Sequence, residues 1–423
     1  MDPAPPPTDA AAIRRRNLGL VLRHLADHGP CPRTEVAAAT GLAHGSVTAL
    51  VADLTDRGLL REDDVLRSGT RGRPGRPLRL EPRRAVVAAI QITSEHLRVA
   101  VSDLVGGVLH RQVVPHDLAP GTPEAMADAV ATVIAHIETS LPGFATTETG
   151  PHPAPVLARI VIAMAGPVRD DAAQTVVVAP DFGWMEPVRL RALVAARLPA
   201  PAVGIDVVND ANAAALAEFH ALQHVSRGLV LIEAGTGIGG GVVLDGRIHT
   251  GSHGIAGEPG HIPVAMDGPI CVCGARGCLV CFAGPEAVFE AAGLGELLRH
   301  KGSRAAQAEL LALLSRADTR AVAALDTAAR ALSTAILSIT ALLDAVEVVL
   351  GGLLSDWFRW LIPAIESRLA GRRALAPALA LRVTPTALGE NGILTGALGF
   401  ARRAVLSDPA VVPPLPAAAR AGA

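Results

Sequence analysis

The chain has 423 residues, half of them hydrophobic, enough to bury large cores in two or three domains. Its 38 Lys and Arg against 40 Asp and Glu leave a net charge of −2, which excludes a global attraction to nucleic acid and leaves only a local patch to supply one. No run of about eighteen uncharged apolar residues and no basic-then-apolar N-terminus occurs, and the cysteines read as metal ligands of a reducing compartment; the expected location is cytoplasmic, with no membrane partner.

Residues 1–12 are rich in Pro and Ala and are expected to be disordered. A winged helix-turn-helix is expected over 13–66. Leu18, Val21, Leu22 and Leu25 recur at helical spacing, and Gly29-Pro30 stops that helix. Pro32 suits the first turn of a second helix through Ala39, and Gly41 stands where a left-handed turn is needed. A third helix from His44 buries Val47, Leu50, Val51 and Leu54 and ends at Gly58. Its outward face offers His44, Gly45, Ser46 and Thr48, small or polar groups able to approach base edges, although three such helices also serve as a plain cap on a larger domain. The segment 59–80 is the place for a wing. A basic linker, 67–84, sets Arg67, Arg71, Arg73, Arg76, Arg79, Arg83 and Arg84 against one acid, Glu81. Within it RGRPGRP is extended by its prolines, so Arg71, Arg73 and Arg76 suit a minor groove; the other reading is a solvated hinge.

From 85 the periodicity changes. Strands are expected at 85–92, 97–102 and 108–114, a helix at 123–140, a strand at 159–164, a helix at 187–198 and a strand at 203–208, a first lobe of about 85–225. A second lobe, about 226–405, opens with LVLIEAG and IGGGVVLD around a glycine turn, 235–241. Backbone amides there can cradle phosphate, or the glycines serve a hairpin that needs positive φ. Ala-rich helix follows at 303–345, then a buried strand at 346–350, Gly351-Gly352, a closing helix at 391–404 and a flexible tail, 406–423. A cleft between the lobes is the expected place for a ligand.

Four of the five cysteines fall within 251–282, and three of them stand with a histidine as His261-x9-Cys271-x-Cys273-x4-Cys278. Thiolates and imidazole are the donors zinc prefers, and four close a tetrahedron with no position for water, which makes the site structural. Gly274 and Gly277 allow the tight turn between the thiols. The other reading is a group of buried free cysteines. Glu258, three residues before His261, can accept hydrogen bonds from the hydroxyls of a polar ligand, or be a solvated loop acid.

GEPGH with CVCG and GCL resembles the signature of the ROK family of bacterial sugar kinases and repressors. The likeness extends to Asn209-Asp210-Ala211-Asn212 with Glu218, to the glycine turn and to Gly351-Gly352, over about 85–405, and the preceding segment resembles the DNA-binding head of the family's repressors. It implies an α/β fold: an N-terminal winged helix-turn-helix followed by a two-lobed, actin-like (ribonuclease-H-like) body with a structural zinc site. Asn209, Asp210, Glu258 and His261 would bind a sugar from both sides of the cleft, Asp210 standing where the family's kinases keep their base. Two departures bear on the branch. The kinases' Asp-x-Gly-x-Thr is here Gln91-Ile92-Thr93-Ser94-Glu95, which removes the metal-serving carboxylate and puts an acid near the nucleotide's charge; and Val280 follows Leu279 where the family has a sugar-binding Glu. The resemblance therefore implies no enzyme but a repressor of a double-stranded DNA operator, a homodimer or homotetramer modulated by a sugar or sugar phosphate. The alternatives are a sugar kinase with a fused head and a scaffold that binds neither nucleotide nor sugar.

Overall fold

The computed structural model describes residues 9–63, 76–144, 146–147, 150–151, 154–199, 203–222, 226–344, 347–375 and 381–416. Order begins earlier than the composition suggests: helix α1 (Ala10–His28) starts at a run of alanines, good helix formers, and the Asp9 carboxylate accepts from the Ala12 amide at 2.6 Å. The expected disorder over 1–12 is thus corrected for 9–12. Leu18, Val21, Leu22 and Leu25 are buried as their spacing requires, and the helix stops at Gly29, φ 79°. After the two-residue strand β1 (Cys31–Pro32) come α2 (Arg33–Thr40), a left-handed turn at Gly41 with φ 71°, and α3 (His44–Asp56). Asp53 of α3 is held by Arg14 at 2.6 Å and Arg57 at 2.7 Å; burial opposes its charge, but the two guanidiniums outweigh it and keep the carboxyl below its usual range. Strands β2 (Leu60–Glu62) and β3 (Pro77–Leu80) complete an antiparallel sheet in the order β1-β3-β2, which is the wing.

The wing's return strand therefore lies inside the stretch read as a basic linker, and two of the arginines there are spent on structure. Arg79 is paired to Asp63 at 2.6 Å, and Arg84 is buried at 4% exposure. Arg76 is exposed; Arg67, Arg71 and Arg73 lie outside the described residues.

Strand β4 (Ala85–Ile92), an unbroken Ala/Val/Ile/Gln run, is buried at all eight positions, as a central strand should be. It pairs antiparallel with β5 (His96–Asp103), which pairs with the edge strand β6 (Val108–Pro115). Helix α4 (Pro123–Ser140), capped by Thr122, is followed by the short pair β7 (Thr146–Thr147) and β8 (Gly150–Pro151), then β9 (Val156–Met164), α5 (Leu190–Ala195) and β10 (Gly204–Asn209). The sheet order is β10-β9-β4-β5-β6.

A second sheet, β13-β12-β11-β14-β15, is built from β11 (Gly228–Ala234), β12 (Ile238–Leu244), β13 (Arg247–Ile248), β14 (Glu347–Gly352) and β15 (Arg382–Pro385), with α6 (Asp210–Ala221) packed on β11 and β12. Helices α7 (Val280–Ala283), α8 (Pro285–Ala291), α9 (Gly295–Ser315), α10 (Thr319–Leu343), α11 (Leu353–Asp356) and α12 (Phe358–Leu375) surround its core. Among the described residues α10 is long and apolar enough to cross a membrane, but its Ala/Leu/Ile face is buried in that core, beside Phe289 and Trp357.

Two compact units result: Met1–Ile162 with Leu190–Val207 and Ala397–Ala423, and Ala163–Arg189 with Val208–Gly396. In place of one boundary near 225, the chain passes between the units four times, the last within α13 (Gly392–Ser407). The segment after α13 departs from the flexible tail expected there. Val412 and Leu415 are buried, the Leu415 amide donates to the Asp56 carbonyl at 2.7 Å, and Arg57 donates to the Val412 carbonyl at 2.6 Å. Leu415 lies against the bare backbone of Gly58, and with the buried Val412 it anchors the segment by apolar burial.

Candidate functional site

β10 ends at Asn209, whose side chain caps α6: its Oδ1 accepts from the Asn212 amide at 2.9 Å, and its Nδ2 donates to the Gly166 carbonyl at 3.0 Å. Asn209, read as a ligand contact, is thereby occupied in positioning its neighbour. Asp210 becomes the first helical residue, with Oδ1 accepting from the Ala211 amide at 2.8 Å. Burial, with Asp181 adding repulsion, raises Asp210 to about 6. Burial and the charge of Asp210 push Glu258 to about 7, and burial with Asp210 and Glu218 pushes Glu233 to about 8. Three carboxyls thus crowd one place and resist ionising together.

Glu233 escaped the reading of the sequence, although an acid inside the apolar strand LVLIEAG was a visible signal. Glu218, by contrast, is structural: 3% exposed, it accepts from the Thr386 hydroxyl and from the amides of Ala387 and Leu388, both at 3.0 Å.

The raised carboxyls set a pH dependence. A group that holds its proton more tightly folded than unfolded adds stability below its unfolded pKa and loses it as pH rises through the folded value. For Glu233 the window runs from 4.5 to about 8. Melting temperature in the ligand-free protein should fall across that window, and Glu233→Gln should flatten the fall; an unchanged profile in the variant would show that Glu233 ionises freely.

The glycine turn separates into two roles. None of its five glycines has positive φ, so the hairpin reading is not the reason for them. A Cβ at Gly240 would meet the Leu231 carbonyl at 2.5 Å, and one at Gly241 would meet Ala215 at 2.6 Å, so these two let α6 and Pro259 lie on the strand. Gly235 has no atom near its Cβ position and Gly237 only Val280 at 3.9 Å, which leaves their backbone approachable. Thr236 Oγ1 donates to Asp181 at 2.6 Å and fixes the turn.

The cysteine loop forms as its spacing implied. Cys271 Sγ lies 3.6 Å from His261 Nδ1 and Cys273 Sγ 3.7 Å from Cys278 Sγ, and all four donor atoms fall within 4.8 Å of one another. Gly274 (φ 87°) and Gly277 (φ 69°) make the turns, and a Cβ at Gly277 would collide with the Ala265 carbonyl. Burial and the neighbouring thiols Cys273 and Cys271 push Cys278 up to about 12, an environment that a divalent cation relieves. The donor set is a closed tetrahedral one and fits zinc.

At the kinase carboxylate position, Gln91 is buried at 5% exposure, and its Oε1 accepts from Arg98 of the facing strand at 3.3 Å. Val280 packs against the apolar core and offers a ligand hydroxyl nothing. Asn209, Asp210, Glu258 and His261 all belong to one compact unit, where the sequence reading had drawn them from two lobes. In the head, His44, Gly45, Ser46 and Thr48 are all exposed, with Val47 buried behind them.

The ROK family profile matches residues 87–404, and that of the MarR family matches 19–68. An N-acetylmannosamine kinase of Vibrio cholerae is 35% identical over 172 residues, 39% of this chain and 56% of the relative. The chain thus spans about half the length of those curated kinases. The xylose repressor of Bacillus subtilis is 22% identical over 392 residues, 92% of this chain and 95% of the repressor. Among solved structures, a ROK family transcriptional regulator homologous to the E. coli MLC protein superposes with a TM-score of 0.76 at 23% identity, covering 94% of this chain and 98% of the other. A ROK family glucokinase from Streptomyces griseus, in complex with glucose and AMPPNP, gives 0.58 at 25% identity, covering 75% of this chain and 99% of the kinase.

Proposed function

The chain belongs to the ROK family, and from that premise we propose that it is a cytoplasmic, DNA-binding transcriptional repressor whose operator affinity responds to a sugar or sugar phosphate held at Asp210 and Glu258. The observation that carries the reading is the outer face of α3: His44, Gly45, Ser46 and Thr48 exposed on a helix whose other face, Val47, Leu50, Val51 and Leu54, is buried. That is the arrangement by which a recognition helix presents polar groups to base edges in the major groove. Arg76, with Arg71 and Arg73 before it, supplies the flanking charge. One such head reads few base pairs, so the working form is a homodimer or homotetramer.

In the body, His261, Cys271, Cys273 and Cys278 hold zinc, which fixes the loop that carries Glu258. An ionised Asp210 accepts a hydrogen bond from a sugar hydroxyl without transferring anything to it. Phosphoryl transfer needs a carboxylate to place the metal of the nucleotide, and Gln91 with its Arg98 partner supplies none.

The test takes full-length protein and a duplex selected by it from a random-sequence pool, read by fluorescence anisotropy. One monosaccharide or sugar phosphate should change affinity by roughly 5–150-fold, the usual range of coupling between sites, and more in the direction of release. Glu258→Ala should abolish the response and leave ligand-free binding unchanged. Failure to select any duplex would refute the repressor reading; sugar-dependent ATP turnover that vanishes in Asp210→Ala would establish a kinase instead.

A further inference from the structure

The head contains a second group of metal-capable side chains, remote in sequence from the cysteine loop. His24 of α1, Cys31 of β1 and Glu35 in the first turn of α2 bring an imidazole nitrogen, a thiol sulfur and a carboxylate oxygen within 4.8 Å of one another. We infer that these three form a binding site for a borderline divalent cation of the zinc class, built into the DNA-binding head and distinct from the closed site at His261.

Three observations support it. The Nε2 of His24 is buried without a hydrogen-bond partner, an unfavourable state for a polar nitrogen. The ring is held in place by stacking on His28, with centroids 4.5 Å apart and planes 24° apart, while the His28 Nδ1 lies 3.1 Å from the His24 carbonyl. Cys31 is a free thiol buried at 5% exposure, facing the same place. The donor set of one nitrogen, one sulfur and one oxygen suits zinc, cobalt or nickel better than the hard cations.

Metal–ligand bonds of about 2.0–2.3 Å give a tetrahedron with edges of about 3.5 Å, so the group has to contract by roughly 1 Å to close on an ion. Glu35 is exposed and can turn inward to do so. With three protein ligands and one of them in solvent, the fourth position is left to water, and the ion exchanges. The cysteine loop, with four protein donors, keeps its ion.

The elements tied together are the end of α1, the start of α2 and β1, whose Cys31 pairs with Leu78 of the wing strand. On the reading of the chain as a DNA-binding regulator, occupancy would brace the wing against the helix pair and change operator affinity. The site itself does not rest on that reading, and its test needs no DNA.

Full-length protein, freed of metal under reducing conditions, is titrated with Co2+ and followed by thiolate-to-cobalt charge-transfer absorption. Two equivalents per chain should bind. The tighter one carries the three thiolates of the loop, and the weaker one carries one thiolate. Cys31→Ser should remove the weaker step with its charge-transfer increment. Glu35→Gln, at an exposed position where folding is not at risk, should weaken that step about tenfold or more and leave the tight step unchanged. One equivalent in the unmodified protein would overturn the inference, as would a second equivalent whose isotherm is the same in both variants.

Discussion

Cys273→Ser should lower the stability of the second unit by several kcal/mol and reduce bound zinc by one ion per chain. The position makes the test sharp because Cys273 is exposed while Cys271 and Cys278 are buried. Without a metal, exchanging one exposed sulfur for oxygen belongs with surface substitutions, which stay within about 0.5 kcal/mol. With a metal, it removes one of four ligands from a site whose binding energy is on the order of 10 kcal/mol and is also folding energy. Thermal unfolding with and without a chelator, together with metal analysis of both proteins, decides it. Equal melting temperatures for the two proteins and no drop in metal content would leave the loop as four unligated side chains. On the proposed reading, with His261 a zinc donor three residues after Glu258, zinc loss should also weaken sugar binding before it unfolds the unit.

The parts of this molecule that were legible in the sequence are those fixed by local pattern. α4 spans the stretch its periodicity marked, because Thr122, Pro123 and the spacing of Met126, Val130, Ile134 and Ile137 all point the same way. The face of α3 and the cysteine loop were legible for the same reason: a few residues at fixed spacing carry the whole constraint. α12 was not, since Pro363 sits inside it and masks the buried stripe Leu361, Ile365 and Leu369.

Contacts made across long separations were the other blind spot. Nothing near 218 announces that Glu218 will hold the amides of residues 387 and 388, and nothing near 412 that Val412 will be buried beside the head. In the candidate site the carboxylates Asp210 and Glu258 were found from their motifs. Glu233 was missed because its meaning depends on neighbours brought in by other elements, Asp210 and Glu218. Within 67–84, Arg79 and Arg84 serve the fold, which composition alone did not separate from their neighbours.

Arg84→Ala should cost the first unit about 3 kcal/mol or more and free the C-terminal segment. The side chain is 4% exposed, and its Nε donates to the Arg57 carbonyl at 2.9 Å, its Nη2 to the Pro413 carbonyl at 2.9 Å and its Nη1 to the Ala154 carbonyl. One guanidinium thus joins the end of α3, the approach to β9 and the tail after α13. Burial lowers its pKa, yet guanidinium keeps its proton, so the charge rests on three carbonyl dipoles. Alanine removes three hydrogen bonds from a charged donor, at about 1.5–3 kcal/mol each, partly offset by no longer burying a charge. Lysine should rescue little, because an ammonium cannot reproduce a planar fork aimed at three separate oxygens. Hydrogen exchange gives a local readout: the Leu415 amide, bonded to the Asp56 carbonyl, should lose protection in Arg84→Ala, and amides of β11 in the other unit should keep theirs. Since Arg57 follows α3 directly, releasing the tail should also loosen α3 and, on the proposed function, weaken operator binding while the sugar response persists. A variant within about 0.5 kcal/mol of the parent, with Leu415 still protected, would mean that Val412 and Leu415 hold the tail by burial alone.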